Sequence, residues 1–210
     1  MVNLYLIRHG RQNSTLCNVD VELAEEGRIQ AELLRDRIKN YPIDALYSSN
    51  LIRARQTAEI INEALKLPHE IREEIKEISF GDLEGKSDEY IDQHFGDFKE
   101  KQKKLLEDIP YPGGENGAEV NNRAMPVIRE MVRSGKKNIA VVTHGGTIRA
   151  LLAELFGKNQ ARRFLFAVSL ENTSITHLIY DNENDRFYLE RFNDYAHLEG
   201  NPELLRRYFK

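Results

Sequence analysis

The sequence predicts an α/β protein in which two strands deliver histidines to the same end of one sheet. Three observations carry this. The run Val2 to Ile7 is apolar, alternating and too short for a helix, and it stops at Arg8-His9-Gly10. A second apolar run, Asn138 to Val142, stops in the same way at Thr143-His144-Gly145-Gly146. Stretches with helical spacing separate and follow the two runs, as α/β connections require. Two such strand ends can be neighbours in a parallel sheet, and ligands of open α/β sheets bind beyond the carboxyl ends of the strands.

Length and charge bound the remainder. A chain of 210 residues, 40% of them hydrophobic, can bury one substantial core, so one domain over 1–210 with an insertion fits better than two. A net charge of −4 gives no general attraction to nucleic acid or anionic membrane, so any anion site has to be made locally. The single Cys17 rules out an internal disulfide. No apolar stretch approaches a membrane span, and the N-terminus enters a strand directly, without a signal-like region. These features lead to the expectation of a cytoplasmic protein with no nucleic-acid or membrane partner. They leave the oligomeric state open, a homodimer included.

The elements follow in order. After Gly10, residues 11–20 are polar and aperiodic, a loop bordering whatever His9 binds. From about Ala24 the residues Ala24, Gly27, Ala31, Leu34 and Ile38 share one helical face, and Tyr41-Pro42 ends the helix. Ala45 to Tyr47 is a second short strand. Ser48, Ser49 or Asn50 can then cap a helix that turns Ala54, Ala58, Ile61 and Leu65 inward and places Arg53 and Arg55 in its first turn. Residues 77–85 are extended and enter glycine turns, and Ser87 to Asp108 is charged and amphipathic, two short helices forming a helical lid insertion over about 87–111. Pro110 to Gly114 punctuates the chain before a long helix from about Glu115 to Arg133, which Pro126 should bend or interrupt. After the second histidine strand a helix runs from Thr147 to Phe156. Its N-terminus makes the His144-Gly145 turn a favourable anion site, with the Thr147 amide as a further donor. Ser174 to Tyr180 and Arg186 to Phe192 form a late strand pair, and the tail from Pro202 is a short surface helix.

Phosphoryl transfer to a protein nucleophile needs an attacking group, cations around the equatorial oxygens and an acid for the leaving oxygen. The chain offers all three: His9 as neutral imidazole, Arg8, Arg53 and His144 around the transferring group, and a carboxyl such as Glu77 as acid and then base. Arg55 shares a helical turn with Arg53, and the residue pattern alone does not choose between them. Asp82 and Glu84 are competing carboxylates, read first as turn residues. His69, His94, His177 and His197 match no metal-ligand spacing and are read as surface or structural.

An ordered series of segments resembles the histidine phosphatase superfamily, which includes cofactor-dependent phosphoglycerate mutases and their phosphatase relatives. The segments are Leu6-Ile7-Arg8-His9-Gly10, Leu23-Ala24-Glu25-Glu26-Gly27, Ser49 to Ala58, Glu77 four residues before Gly81, Pro112-Gly113-Gly114-Glu115, Val142-Thr143-His144-Gly145, and Asn193-Asp194 before His197-Leu198. The resemblance implies a mixed, mostly parallel sheet flanked by helices on both faces. It implies His9 as the phosphorylated nucleophile, Arg8, Arg53 and His144 as phosphate ligands, Glu77 as proton donor, and neither metal nor cofactor. Two departures stand out. Arg11 occupies a place that is usually acidic in the family, and the loop from Gly10 to Leu23 is several residues shorter than in many members. The polar phosphate ligand from that loop is therefore assigned first to Asn13, then to Ser14 or Asn18.

The resulting expectation is a metal-independent phosphatase acting on a small phosphomonoester through a phosphohistidine on His9. Mutases of this family tend to be longer, with a larger insertion before the Pro112-Gly113-Gly114 segment, so the modest insertion here favours hydrolysis. A mutase is the alternative, followed by a catalytically silent module that binds a phospho-ligand.

Overall fold

The alternation along β1 (Val2–Arg8) decides how the sheet is covered. Leu4 and Leu6 point to one face and Tyr5 and Ile7 to the other, all of them buried. In this computed structural model, which describes residues 1–206, β1 lies inside a six-stranded sheet of order β3-β2-β4-β1-β5-β6. The strands are β2 (Ala45–Ser48), β3 (His69–Ile71), β4 (Asn138–Thr143), β5 (Ile175–Asp181) and β6 (Arg186–Asp194). β1 pairs in parallel with β4 and antiparallel with β5, so the sheet is mixed, and β5 alone runs against the other strands.

Each face has its own helices. α1 (Glu25–Ile38) and α2 (Ile52–Leu65) cover the Tyr5 and Ile7 face with Leu34, Ile38, Ala54, Ala58 and Ile61. α5 (Gly117–Val132) and α6 (Gly145–Leu155) cover the Leu4 and Leu6 face with Ala124, Ile128, Met131, Ile148 and Leu151. α3 (Asp88–His94) and α4 (Gly96–Lys103) form the expected charged pair between the two halves of the chain. α3 buries Ile91 and α4 buries nothing, so this pair is held mainly by Ile91, Phe95 and Phe98 against Leu83 and Tyr111. Among the described residues no helix is long and apolar enough to cross a membrane.

Four details depart from the sequence reading. β3 was not anticipated, because a three-residue edge strand bearing a histidine and a glutamate carries no apolar run; it exists through its register with β2. The cap of α2 does not come from Ser48, Ser49 or Asn50. Leu51 is the N-cap, and Asp20, reaching from the 11–20 loop, accepts from the Ile52 N–H at 2.8 Å, because Ser48 and Ser49 turn their hydroxyls to His69 and His144. α5 runs through Pro126 without interruption: Pro126 and Asn122, whose carbonyl loses its helical donor there, are both on the exposed face, where water can serve as donor. It also starts at Gly117 instead of Glu115, since Asn116 and Glu119 form a reciprocal capping box. Finally, the tail begins as a single 3-10 turn at Pro202–Leu204, and the rest of the anticipated surface helix, 207–210, lies outside the described residues.

Leu6 is fully buried in the central strand under α5 and α6. Leu6→Ala should cost about 2–5 kcal/mol, the transfer free energy of the lost methyls plus the cavity they leave. Urea unfolding should show this as a lower midpoint with an unchanged slope.

Candidate active site

The parallel register of β1 and β4 sets Arg8 opposite Thr143, so the residues that follow, His9 and His144, leave the sheet side by side. Their rings lie 5.0 Å apart between centroids. His9 N–H donates to the Thr143 carbonyl at 3.0 Å, and the His9 carbonyl accepts from Asn172 Nδ2 at 2.9 Å, so the backbone of the turn is held from both sides. The turn is also pressed against α1. A Cβ on Gly10 would sit 2.5 Å from the Gly27 carbonyl oxygen, and one on Gly27 would overlap the Arg11 backbone, so two glycines make this approach sterically allowed.

The tautomer of His9 follows from its partners. Nδ1 faces the Gly10 carbonyl at 2.6 Å, an acceptor only, so Nδ1 carries the proton and Nε2 keeps its lone pair. Arg53 Nε donates to that lone pair at 3.2 Å. Burial, then the positive charges of Arg53 and Arg8, push the His9 pKa well below its ordinary value, which keeps the ring neutral.

Arg53, 2% exposed, enters from the first turn of α2 and is aimed by the 11–20 loop. Its Nη1 donates to the Val19 carbonyl at 3.0 Å and its Nη2 to Asn18 Oδ1 at 2.8 Å. Thr57, one turn along, accepts from the Gly10 N–H at 3.0 Å and donates to the Arg53 carbonyl at 2.7 Å, locking helix and histidine turn together. The competing Arg55 is exposed and does not line the cavity that Arg53 lines. Arg8, at the strand end, donates through Nη1 to the Leu170 carbonyl.

His144 is fully buried, with Nε2 against Ser49 Oγ at 2.6 Å. Its Nδ1 has no hydrogen-bond partner among the described residues. Burial, then Arg53 and His9, push its pKa well below the ordinary value. Both imidazoles of the site are therefore neutral, and the fixed positive charge comes from the guanidinium groups.

Glu77 takes the helix N-terminus that the sequence reading left to an outside anion. Its carboxylate accepts from the N–H groups of Ile78 at 2.9 Å and of Gly146 and Thr147 at 3.2 Å each. Gly146 permits this contact, since a Cβ there would lie 2.5 Å from Glu77 Oε1. The Thr147 amide is accordingly engaged by Glu77. Arg123 fixes the Glu77 segment by donating to the carbonyls of Lys76 and Glu77, both at 3.0 Å, while it pairs with Glu115 at 2.8 Å.

Arg8, His9, Arg53 and Glu77 open onto one cavity of about 470 Å³. Ser14 and Asn18 also line it. Asn13, first choice for the loop ligand, lies outside the lining: it is exposed, with its N–H on the Glu22 carbonyl, because the loop makes a short antiparallel bridge at Gln12 and Leu23 that turns residue 13 outward. Asp82 and Glu84 do not line this cavity either; Glu84 accepts from Phe80 N–H, Ser79 Oγ and Asn18 Nδ2, a turn role. Gly145, the first residue of α6, faces Arg8, whose Nε would lie 3.6 Å from a Cβ built there. Among the described residues no cluster of three or more His, Cys, Asp or Glu is placed to hold a metal ion. Sequence reasoning missed Ser49, Thr57 and Asn172, whose contacts cross 47 to 163 positions of chain and leave no local trace.

Known proteins are similar to this chain in sequence and fold. Residues 4–195 match the family model of the histidine phosphatase superfamily, branch 1. A phosphatase of Bacillus subtilis, PhoE, is 31% identical over 206 residues, covering 95% of this chain and 98% of its own length. A 2,3-bisphosphoglycerate-dependent phosphoglycerate mutase of Protochlamydia amoebophila is 27% identical over 225 residues, covering 89% of this chain and 98% of its own. Among solved structures, a mycobacterial glucosyl-3-phosphoglycerate phosphatase in complex with inorganic phosphate superposes with a TM-score of 0.84 at 26% identity, covering 94% of this chain and 99% of that one. With a family model that spans nearly the whole chain and a mixed sheet that superposes on a phosphatase of the family, the protein belongs to the histidine phosphatase superfamily, branch 1, and is a phosphomonoester hydrolase.

Proposed function

We propose that the protein hydrolyses a small phosphomonoester by transferring the phosphoryl group to His9 Nε2 and then to water. The observation that carries this reading is the His9 tautomer: a buried, neutral ring whose proton is committed to the Gly10 carbonyl, with its lone pair beside a guanidinium. An incoming phosphoryl oxygen takes over the Arg53 Nε donor and frees the lone pair for attack on phosphorus. Arg8 and Arg53 neutralise the equatorial oxygens, His144 contributes as a neutral hydrogen-bonding group, and Gly145 and Ser14 lie at the edge of the group. As the ester P–O bond breaks, Glu77, acting from its protonated carboxyl form, gives that proton to the leaving oxygen. The resulting carboxylate then deprotonates the water that attacks the phosphohistidine, and His9 leaves as neutral imidazole. The guanidinium groups supply the positive charge, so the step needs no divalent metal.

The α3–α4 pair is read as a lid, and its modest size, two short helices of which only Ile91 is buried, favours hydrolysis over mutase chemistry. The relatives include an enzyme acting on glucosyl-3-phosphoglycerate and a mutase, so the decisive comparison is phosphate release against phosphoryl relocation. Steady release without a bisphosphate primer is expected. Efficient interconversion of phosphoglycerates with negligible release would replace hydrolase by mutase and leave His9 in place.

His9→Ala should abolish both turnover and the acid-labile phosphoenzyme seen by rapid quench with a ³²P-labelled ester; label retained on another residue would overturn the assignment. Dialysis against EDTA should leave the rate within about twofold, whereas a large loss restored by zinc, magnesium or manganese would reject the arginine-only account. Glu77→Gln should slow alkyl esters by about 10²–10⁴-fold and p-nitrophenyl phosphate far less, because a good leaving group needs little protonation. Equal losses on both would remove Glu77 from the acid role.

A further inference from the structure

The segment Asn193-Asp194 with His197-Leu198 does not line the cavity, yet a line of hydrogen bonds joins it to the nucleophile. The line starts at Arg37, in the last turn of α1. Its guanidinium forks onto Asp194, Nη1 to Oδ1 at 2.9 Å and Nη2 to Oδ2 at 2.5 Å, and Nη1 also lies 3.4 Å from His197 Nδ1. A guanidinium only donates, so His197 Nδ1 keeps its lone pair and Nε2 carries the proton. That proton points to Thr173 Oγ1, 2.9 Å away. Burial, then the charge of Arg37, push the His197 pKa down to about 4, so the ring is neutral and the direction of the line is fixed. The Thr173 hydroxyl donates in turn to the Asn172 carbonyl at 2.7 Å. Two amides then reach the nucleophile's backbone: Asn172 Nδ2 donates to the His9 carbonyl at 2.9 Å, and the Thr173 N–H donates to the Arg8 carbonyl at 2.9 Å.

The backbone at the centre of this line is strained. Thr173 is fully buried and has a φ of 57°, a conformation that β-branched residues rarely adopt. Such a residue persists where its surroundings over-determine it, and here its hydroxyl is held between the His197 ring and the Asn172 carbonyl. The turn is pinned at both ends as well. Asn193 Oδ1 accepts from the Glu171 N–H at 2.7 Å, and the Ser174 carbonyl accepts from the Arg8 N–H at 3.1 Å. The left-handed turn is what faces both amides of 172 and 173 toward the strand end that carries His9.

We propose that His197 and Thr173 are positioning residues for His9: the imidazole and hydroxyl pair holds the strained turn whose two amides fix the nucleophile for attack on phosphorus. The proposal rests on the phosphatase reading, in which His9 Nε2 attacks the ester. Neither residue lines the cavity, so both act through Asn172 and the backbone of Arg8 and His9. Misplacing a reacting group by about 1 Å costs on the order of 10²-fold in rate, so an anchor outside the cavity carries weight in the chemical step.

The test is a single turnover of p-nitrophenyl phosphate in stopped flow, with enzyme in excess and its concentration varied. His197→Phe keeps a ring and removes the N–H. The maximal rate constant should fall about 10–100-fold, with the half-saturating enzyme concentration within about twofold. His197→Gln, which returns an N–H donor, should recover at least about fivefold of that loss. A merely structural role would act differently: an inactive fraction shifts the half-saturating concentration and leaves the rate constant of the folded molecules unchanged. Phenyl phosphate, a poorer leaving group, should lose the same factor, because attack is misaligned and the proton donor is not; a loss confined to phenyl phosphate would place the effect on Glu77 and overturn the proposal. Thr173→Val, which loses the hydroxyl and keeps the shape, and Thr173→Ser, which keeps the hydroxyl, read the same constant from the other partner, slowed in the first and near wild type in the second. A wild-type rate constant in folded His197→Phe or Thr173→Val, or equal losses in His197→Phe and His197→Gln, would reject the positioning roles. Loss of the folded state in both His197→Phe and Thr173→Val, seen by circular dichroism, would assign the pair to stability and reject them too. All of these outcomes leave the phosphatase reading standing. A wild-type protein that forms no phosphohistidine on His9 would remove that reading, and the positioning roles with it.

Discussion

The parallel pairing of β1 with β4 is the constraint on which the rest of the structure depends. Opposite placement of Arg8 and Thr143 fixes where both chains leave the sheet, so two histidines 135 positions apart in sequence emerge as ring neighbours. Strand pairing tolerates no small error here. A slip of one residue would turn Leu4 and Leu6 out of the α5–α6 core and take His9 out of level with His144. The apolar alternation that stabilises the sheet therefore also sets the geometry of the site.

Charge at the site is assembled by making the histidines neutral and the arginines immovable. His9 and His144 are buried beside guanidinium groups, which disfavours a proton on either ring. Arg53 reaches its place with contacts to Val19, Asn18 and His9, so the guanidinium plane is fixed before any ester arrives. Preorganised donors of this kind stabilise developing charge without reorganising at the moment of reaction. Asn18 ties the arrangement to the opposite wall through Glu84, and the backbone bonds between Cys17 and residues 85 and 86 hold the short 11–20 loop against the same wall.

Glu77 is positioned by a separate piece of engineering. Arg123 gathers the carbonyls of residues 74, 76 and 77 while pairing with Glu115, and the α6 N-terminus presents two N–H groups to the carboxylate. A helix N-terminus ordinarily favours an outside anion. Here it orients a side chain of the protein, and the ligand's positive surroundings come from side chains instead of from the helix.

Much of the fold and the chemical core was legible in the sequence. The apolar runs, the helical faces of Ala31, Leu34 and Ile38 or Ala54, Ala58 and Ile61, and the repeated strand-His-Gly pattern are local signals, because strand and helix periodicity is written in neighbouring residues. The resemblance in ordered segments then singled out Arg53 over Arg55; the structure buries Arg53 and exposes Arg55. What the sequence did not contain was anything decided by packing between distant segments: the Asp20 cap of α2, the edge strand β3, the outward turn of Asn13, the Ser49 and Asn172 contacts, and the approach of Arg206 to the cavity. Each depends on which backbone donors and acceptors remain unpaired once the sheet and helices have formed. By itself the sequence determined which residues could do the chemistry, and the tertiary structure decided their tautomer, orientation and neighbours, because burial and long-range hydrogen bonding exist only after the chain has folded.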